Sequence, residues 1–225
     1  MSRSMNPWAT AAARYSLSAV LVSLIAACGG GGGSSSEPAG PPQVTMTVSN
    51  GAGTSGTMLL TLDPDKAPIT VANFLRYVND GFYNETVFHR VVISGTAPIA
   101  IQGGGARMPG ATPKGVFPPI ALEVNKGLSN VRWSIAMARA SFQANSATSG
   151  FFINTADNSS GWDPHAPTSA GDDGLGYAVF GTVTAGTDVV AAMTSAPCQP
   201  ITNVTVAPDC TPIPVFLVTS MVRTR

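Results

Sequence analysis

Alternation of apolar and polar positions dominates the chain from Gln43 onward. Gln43-Val44-Thr45-Met46-Thr47-Val48 alternates with period two, Asn50-Gly51 through Gly56 supplies a turn, and Thr57–Leu62 reads as the returning strand. Asp63-Pro64-Asp65 breaks that strand. The period then changes, because Val71, Phe74, Leu75 and Val78 fall at i, i+3, i+4 and i+7 behind Pro68, which predicts a helix stopped by Gly81. Further strands are expected at Val87–Val92, Ile99–Gln102, Trp133–Met137, Phe151–Thr155, Tyr177–Thr182 and Val215–Val222. Asp188–Met193 reads as a second short helix. Eight strands with glycine- and proline-rich turns and two helices predict an all-β, mainly antiparallel barrel or sandwich.

The first residues follow a different pattern. Arg3 and Arg14 precede the apolar run Tyr15–Ala27, which is too short for the roughly 20 residues a membrane span needs. A basic start, a short apolar stretch and small residues before a cleavage point define an export signal. Cys28, directly after Ala26-Ala27, resembles the lipidated cysteine of a bacterial lipoprotein; simple cleavage with no role for Cys28 is the alternative. Gly29–Gly33, Ser34–Ser36 and Glu37–Pro42 are of the flexible-linker kind. The expected organisation is a signal at 1–27, a tether at 28–42 and a folded domain at 43–225. Gly29 rather than aspartate after the cysteine implies sorting to the outer membrane, with the domain on its periplasmic face. Translation starts at Met1 or Met5.

Charge narrows the function. With 12 basic and 12 acidic residues and no basic run, the chain lacks the electrostatic footprint of a nucleic-acid binder. In an exported chain Cys198 and Cys210 are expected to form a disulfide across their proline-rich segment. Two cysteines with only His89 and His165 do not make a metal site. Ser129, Ser134 and Ser141 sit in no nucleophile-elbow motif, so a hydrolase is not indicated.

Five blocks carry the chemistry: Phe88-His89-Arg90, Gln102-Gly103-Gly104-Gly105, Ser134–Arg139, Ser149–Asn154 and Gly176–Gly181. In this order they resemble the cyclophilins, most closely the bacterial periplasmic branch, over about Val44 to Val222. The resemblance implies a closed eight-stranded barrel capped by two short helices. It also implies cofactor-free peptidyl-prolyl cis-trans isomerisation on unfolded or proline-containing polypeptides, here exported proteins whose folding it would assist, by a monomer. Arg90 would be the catalytic donor, and Gln102 would orient the peptide. Phe152 would form the pocket floor, with Ile99, Met137 and Tyr177 as walls. Ala138 and Arg139 would bind the residue before proline, and Trp162 is the nearest counterpart of the family's Trp or Phe before Leu-Asp.

The chemistry suits such residues. Twisting a peptide bond costs about 18–20 kcal/mol because the nitrogen lone pair is conjugated with the carbonyl. Catalysis therefore asks for a dry pocket and a fixed donor to the pyramidal nitrogen, not a nucleophile. With no titrating group proposed, turnover should change little between about pH 6 and 8. Departures from the family pattern define the alternatives. Arg90 and Gln102 stand twelve positions apart instead of the usual eight, which implies an enlarged loop; Ala100 stands where Met is common, and Gly150 where Gln is usual. A non-catalytic proline-peptide-binding or chaperone module is the second reading. A barrel holding an apolar small ligand is a third.

Overall fold

A computed structural model describes residues 40–108, 114–201 and 209–225. The signal, Cys28 and most of the tether lie outside the described residues. In chain order the elements are β1 (Gln43–Ser49), β2 (Ser55–Leu62), α1 (Pro68–Asn79), β3 (Val87–Phe88), β4 (Arg90–Ser94), β5 (Ala97–Gly103), β6 (Ser134–Met137), β7 (Phe151–Asn154), α2 (Ser159–Trp162), β8 (Val179–Ala185), α3 (Thr187–Thr194), β9 (Cys198–Pro200), β10 (Cys210–Pro212) and β11 (Phe216–Arg223). All strands join one curled antiparallel sheet in the order β3-β11-β1-β2-β8-β6-β7-β5-β4-β10-β9.

The expected alternation holds in β1, where Val44, Met46 and Val48 are fully buried and the intervening polar residues are not. In β2, Met58, Leu60 and Leu62 do the same. Helix α1 lays Val71, Phe74 and Val78 on the concave face of the sheet, and Gly81 at φ +61° ends it. Phe74 is the hub of this packing. Its ring meets Tyr83 at 5.3 Å, Phe151 at 5.8 Å and Phe180 at 5.0 Å. The concave side is thus filled by the protein's own aromatic and aliphatic side chains, which occupy the space an apolar ligand would need.

Two expectations are corrected. Among the described residues the sheet has eleven strands, rather than the eight of the expected closed barrel. The count rises at His89, where the single strand expected over Val87–Val92 divides. Val87-Phe88 pairs with β11, whereas Arg90–Ser94 pairs with β5, so one segment serves two distant parts of the sheet. The hairpin β9–β10 then covers the free edge of β4 through the pair Cys210↔Val91. Among the described residues the helices are also three rather than two, since α2 adds a single turn at Ser159–Trp162. The disulfide expected between Cys198 and Cys210 is formed and staples β9 to β10, with Cα atoms 5.6 Å apart.

Candidate active site

The convex face carries the candidate site, because side chains alternate across the sheet. On β4 and β5, Arg90 lies directly opposite Gln102; Gln102 lies opposite Phe152 on β7, and Phe152 opposite Ala136 on β6. One lateral row across four strands therefore sets a guanidinium, a carboxamide, an aromatic ring and a small residue side by side. Gly104, at φ +83°, lets the chain leave β5 close beneath Ser149 and Phe151, where a Cβ would come within 2.6 Å of both the ring and the Ser149 carbonyl.

A pocket of about 90 Å³ opens on this row, lined by Arg90, Val92, Gln102, Ala138, Arg139, Phe152, Trp162 and Tyr177. At about 30 Å³ per water, that is space for one small ring rather than a long side chain. Phe152 meets Trp162 edge-on at 4.9 Å and Tyr177 at 5.3 Å, giving two aromatic walls on an aromatic floor. Asn130, fully buried, donates from Nδ2 to the backbone carbonyls of Trp162 at 2.9 Å and Tyr177 at 3.2 Å. Its amide N–H and side chain also reach Asp163 Oδ1, so both walls are fixed from behind.

Electrostatics distinguish the two arginines. Arg139 donates through Nη1 and Nη2 to Asp173 at 2.7 and 2.6 Å and through Nε to the Gly176 carbonyl at 2.8 Å, beneath the Tyr177 ring. These bonds raise the Arg139 pKa and hold the Asp173 carboxyl well below the usual carboxylate range. Arg139 thus braces the loop that presents Tyr177. Arg90 instead donates through Nη1 to Gln102 Oε1 at 3.2 Å and through Nε to Asp209 Oδ2 at 2.6 Å, and Nη2 also pairs with that carboxylate. A guanidinium has five N–H donors, so three are committed and one each remains on Nη1 and Nη2.

Beside the small pocket runs a wider groove of about 540 Å³ that shares Gln102, Ala138 and Arg139 with it and includes His89, Ser149 and Gly150. Burial pushes the His89 pKa below its ordinary value, which keeps the ring neutral at pH 7.

Of the residues singled out from the sequence, Arg90, Gln102, Ala138, Arg139, Phe152, Trp162 and Tyr177 are brought together here. Met137 and Ile99 are not. Met137 is one position out of phase with Ala136 and Ala138, so it points into the concave core beside Phe151 and is 1% exposed. Ile99 is the extra residue of a bulge opposite Val92 and Ile93; its carbonyl accepts from Thr155 N and Asn158 Nδ2. Two residues of the site were missed. Val92 was readable from its period-two relation to Arg90. Asp209 was not, because nothing local marks a carboxylate beside Cys210 as the partner of a residue 119 positions away.

Comparison with known proteins shows the family of the chain. Residues 43–210 match the family model described as cyclophilin type peptidyl-prolyl cis-trans isomerase/CLD. The chain is 45% identical over 135 residues to peptidyl-prolyl cis-trans isomerase A of Dickeya dadantii, covering 60% of this chain and 64% of that protein. It is 46% identical over 135 residues to peptidyl-prolyl cis-trans isomerase B of Escherichia coli, covering 60% and 76% respectively. Among solved structures, a cyclophilin type peptidyl-prolyl cis-trans isomerase of Cryptosporidium parvum, crystallised in the presence of the dipeptide Ala-Pro, superposes with a TM-score of 0.59 at 23% identity. That match covers 81% of this chain and 99% of the other, and at such identity it speaks for the fold alone.

Proposed function

The chain belongs to the cyclophilin-type peptidyl-prolyl cis-trans isomerases, and we propose that it catalyses rotation about X-Pro bonds. The observation that carries this is the lateral row of Arg90, Gln102 and Phe152 on one face. Phe152, Trp162 and Tyr177 hold the pyrrolidine ring away from water. Gln102 has its oxygen occupied by Arg90, which turns its NH₂ donors toward a bound peptide backbone. As the C–N bond twists, the proline nitrogen regains its lone pair, and the N–H groups of Arg90 left free by Asp209 and Gln102 donate to that site. One such preorganised donor is worth about 2.7–4 kcal/mol, or two to three decades in rate. Desolvation and orientation of the substrate lower the rest of the barrier.

The proposal extends to place and clients. The basic start, the Tyr15–Ala27 run, Cys28 and the Gly/Ser/Pro tether support a lipid-anchored protein on the periplasmic face of the outer membrane. There it would assist folding of exported, proline-containing polypeptides. A non-catalytic peptide-binding role is the second reading, favoured by Gly150, which lines the wider groove with no side chain to hydrogen-bond a substrate.

The test is acceleration of cis-trans exchange in an Ala-Pro peptide by the full-length protein in detergent, beside Arg90→Lys. Lysine keeps a positive charge against Asp209, whose side chain is 1% exposed, so the variant avoids stranding a buried carboxylate. A wild-type acceleration that falls by about two decades in the variant supports the isomerase. Peptide binding by both proteins with no wild-type acceleration supports the binding module.

A further inference from the structure

The feature that the isomerase reading leaves unused is the stapled hairpin on the edge of the catalytic strand. Asp209, Cys210 and Thr211 grip residues 89–93 in succession. Asp209 takes the Arg90 guanidinium on Oδ2 and accepts from the Ile93 amide at 3.0 Å on Oδ1. Cys210 pairs with Val91 in the sheet, and Thr211 Oγ1 donates to the His89 carbonyl at 2.8 Å. The Cys198–Cys210 bond and the pairing of β10 with β9 hold this tripeptide to the rest of the hairpin.

We propose that Asp209 is the positioning residue for Arg90, delivered to it by the disulfide-stapled β9–β10 hairpin. The inference rests on the isomerase reading of Arg90. An arginine side chain has enough rotatable bonds to leave a pocket for water, and immobilising such a chain costs conformational entropy. Asp209 meets that cost once, in the folded protein, before any substrate arrives. Its carboxylate takes the Nε and Nη2 edge of the guanidinium, and Gln102 takes part of Nη1, so the fork is held at both ends beside the pocket that Arg90 lines. Because Asp209 is itself nearly inaccessible and bonded to the Ile93 amide, its orientation is fixed in turn. The charge has an opposing effect, since a carboxylate beside the guanidinium weakens its field at the proline nitrogen. Orientation outweighs field here, because a donor displaced by about 1 Å loses on the order of a hundredfold in rate.

The experiment compares Asp209→Ala, Asp209→Asn and Cys198→Ser/Cys210→Ser in the full-length protein in detergent. It reads kcat and KM on an Ala-Pro peptide, and the Nε–Hε NMR resonance of Arg90. Asp209→Ala is expected to lower kcat about tenfold or more with a smaller change in KM. Asp209→Asn, which keeps an acceptor oxygen, should recover part of that loss. The cysteine variant should also lose activity, and adding it to Asp209→Ala should cost nothing further, since both act through one contact. Wild-type kcat in a folded Asp209→Ala protein overturns the proposal, as do losses that multiply in the combined variant. If the wild-type protein does not accelerate isomerisation, the isomerase reading fails by itself. The Arg90 resonance then decides: slow solvent exchange lost in Asp209→Ala supports positioning, and an unchanged resonance overturns it.

Discussion

Arg90 and Gln102 face each other across the β4–β5 hairpin with a 3.2 Å hydrogen bond from Nη1 to Oε1. Their twelve-residue separation is spanned by a hairpin in which the two remain direct cross-strand partners. The added length goes into further ladder pairs toward the turn at Gly95, and the bulge at Ile99 restores the register. The enlarged loop that the spacing implied is instead a longer strand pair distal to this contact.

Gln102→Ala therefore separates orientation from donation. Arg90 stays held by Asp209, so the variant should lose peptide contacts and show a raised KM, with kcat/KM down by about tenfold. Steady-state kinetics on the Ala-Pro peptide checks this; an unchanged KM would remove Gln102 from substrate binding.

Sheet parity gives a second prediction. Met137 faces the core and Phe152 the pocket, although both are nearly inaccessible at 1% and 5% exposure. Met137→Leu, close in volume, should cost less than about 1.5 kcal/mol in a denaturant titration and leave KM unaltered. Phe152→Ala should weaken peptide binding strongly, and the Trp162 emission should change because its edge-on partner is gone.

Helix α1 has Ala67 at its N-cap position, which provides no side-chain cap. Glu123 supplies one from 53 positions away, accepting from the Thr70 amide and hydroxyl at 2.7 Å each. Glu123→Ala should destabilise the domain by about 1 kcal/mol, with Glu123→Gln retaining part of the cap. Thermal unfolding of the two variants measures this.

The loop carrying Tyr177 should respond to pH. Both ring nitrogens of His165 face acceptors, Asp163 O at 2.7 Å and Asp172 Oδ2 at 2.8 Å, an arrangement satisfied by the imidazolium. The Asp163 carbonyl, then Asp172, raise the His165 pKa. The amides of Thr168 and Gly174, then His165, hold Asp172 well below the usual carboxylate range. A raised histidine pKa contributes stability that is fully present below about pH 6.5 and lost as pH rises through the folded value. The depressed aspartate contributes above about pH 4 and loses its contribution as pH falls through its own folded value. An NMR titration should place His165 above about 6.5 and move it down in Asp172→Asn. A midpoint at the ordinary value would show that the loop bonds do not persist in solution.

Much of this was written locally in the chain. The period-two runs of β1 and β2, the helical stripe Val71-Phe74-Val78 and the stop at Gly81 follow from side-chain direction and backbone freedom, which neighbouring residues decide. The blocks around Arg90, Gln102, Phe152 and Tyr177 carried the resemblance, and with it most of the pocket. Misplaced residues were those for which parity was not followed through: Met137 stands one residue from the pocket face, and Ile99 lies in a bulge that no local pattern announces.

By itself, then, the sequence determined which residues alternate, where helix α1 lies and stops, and which blocks carry an arginine, an amide and an aromatic ring. Tertiary structure alone decided three things: that the row Arg90–Gln102–Phe152–Ala136 lines up across four strands, that the strand divides at His89, and that Asp209 meets Arg90. The physical reason is the same in each case. Strand register and buried charge pairing are settled between segments far apart in the chain, by burial and hydrogen-bond satisfaction that no single segment contains.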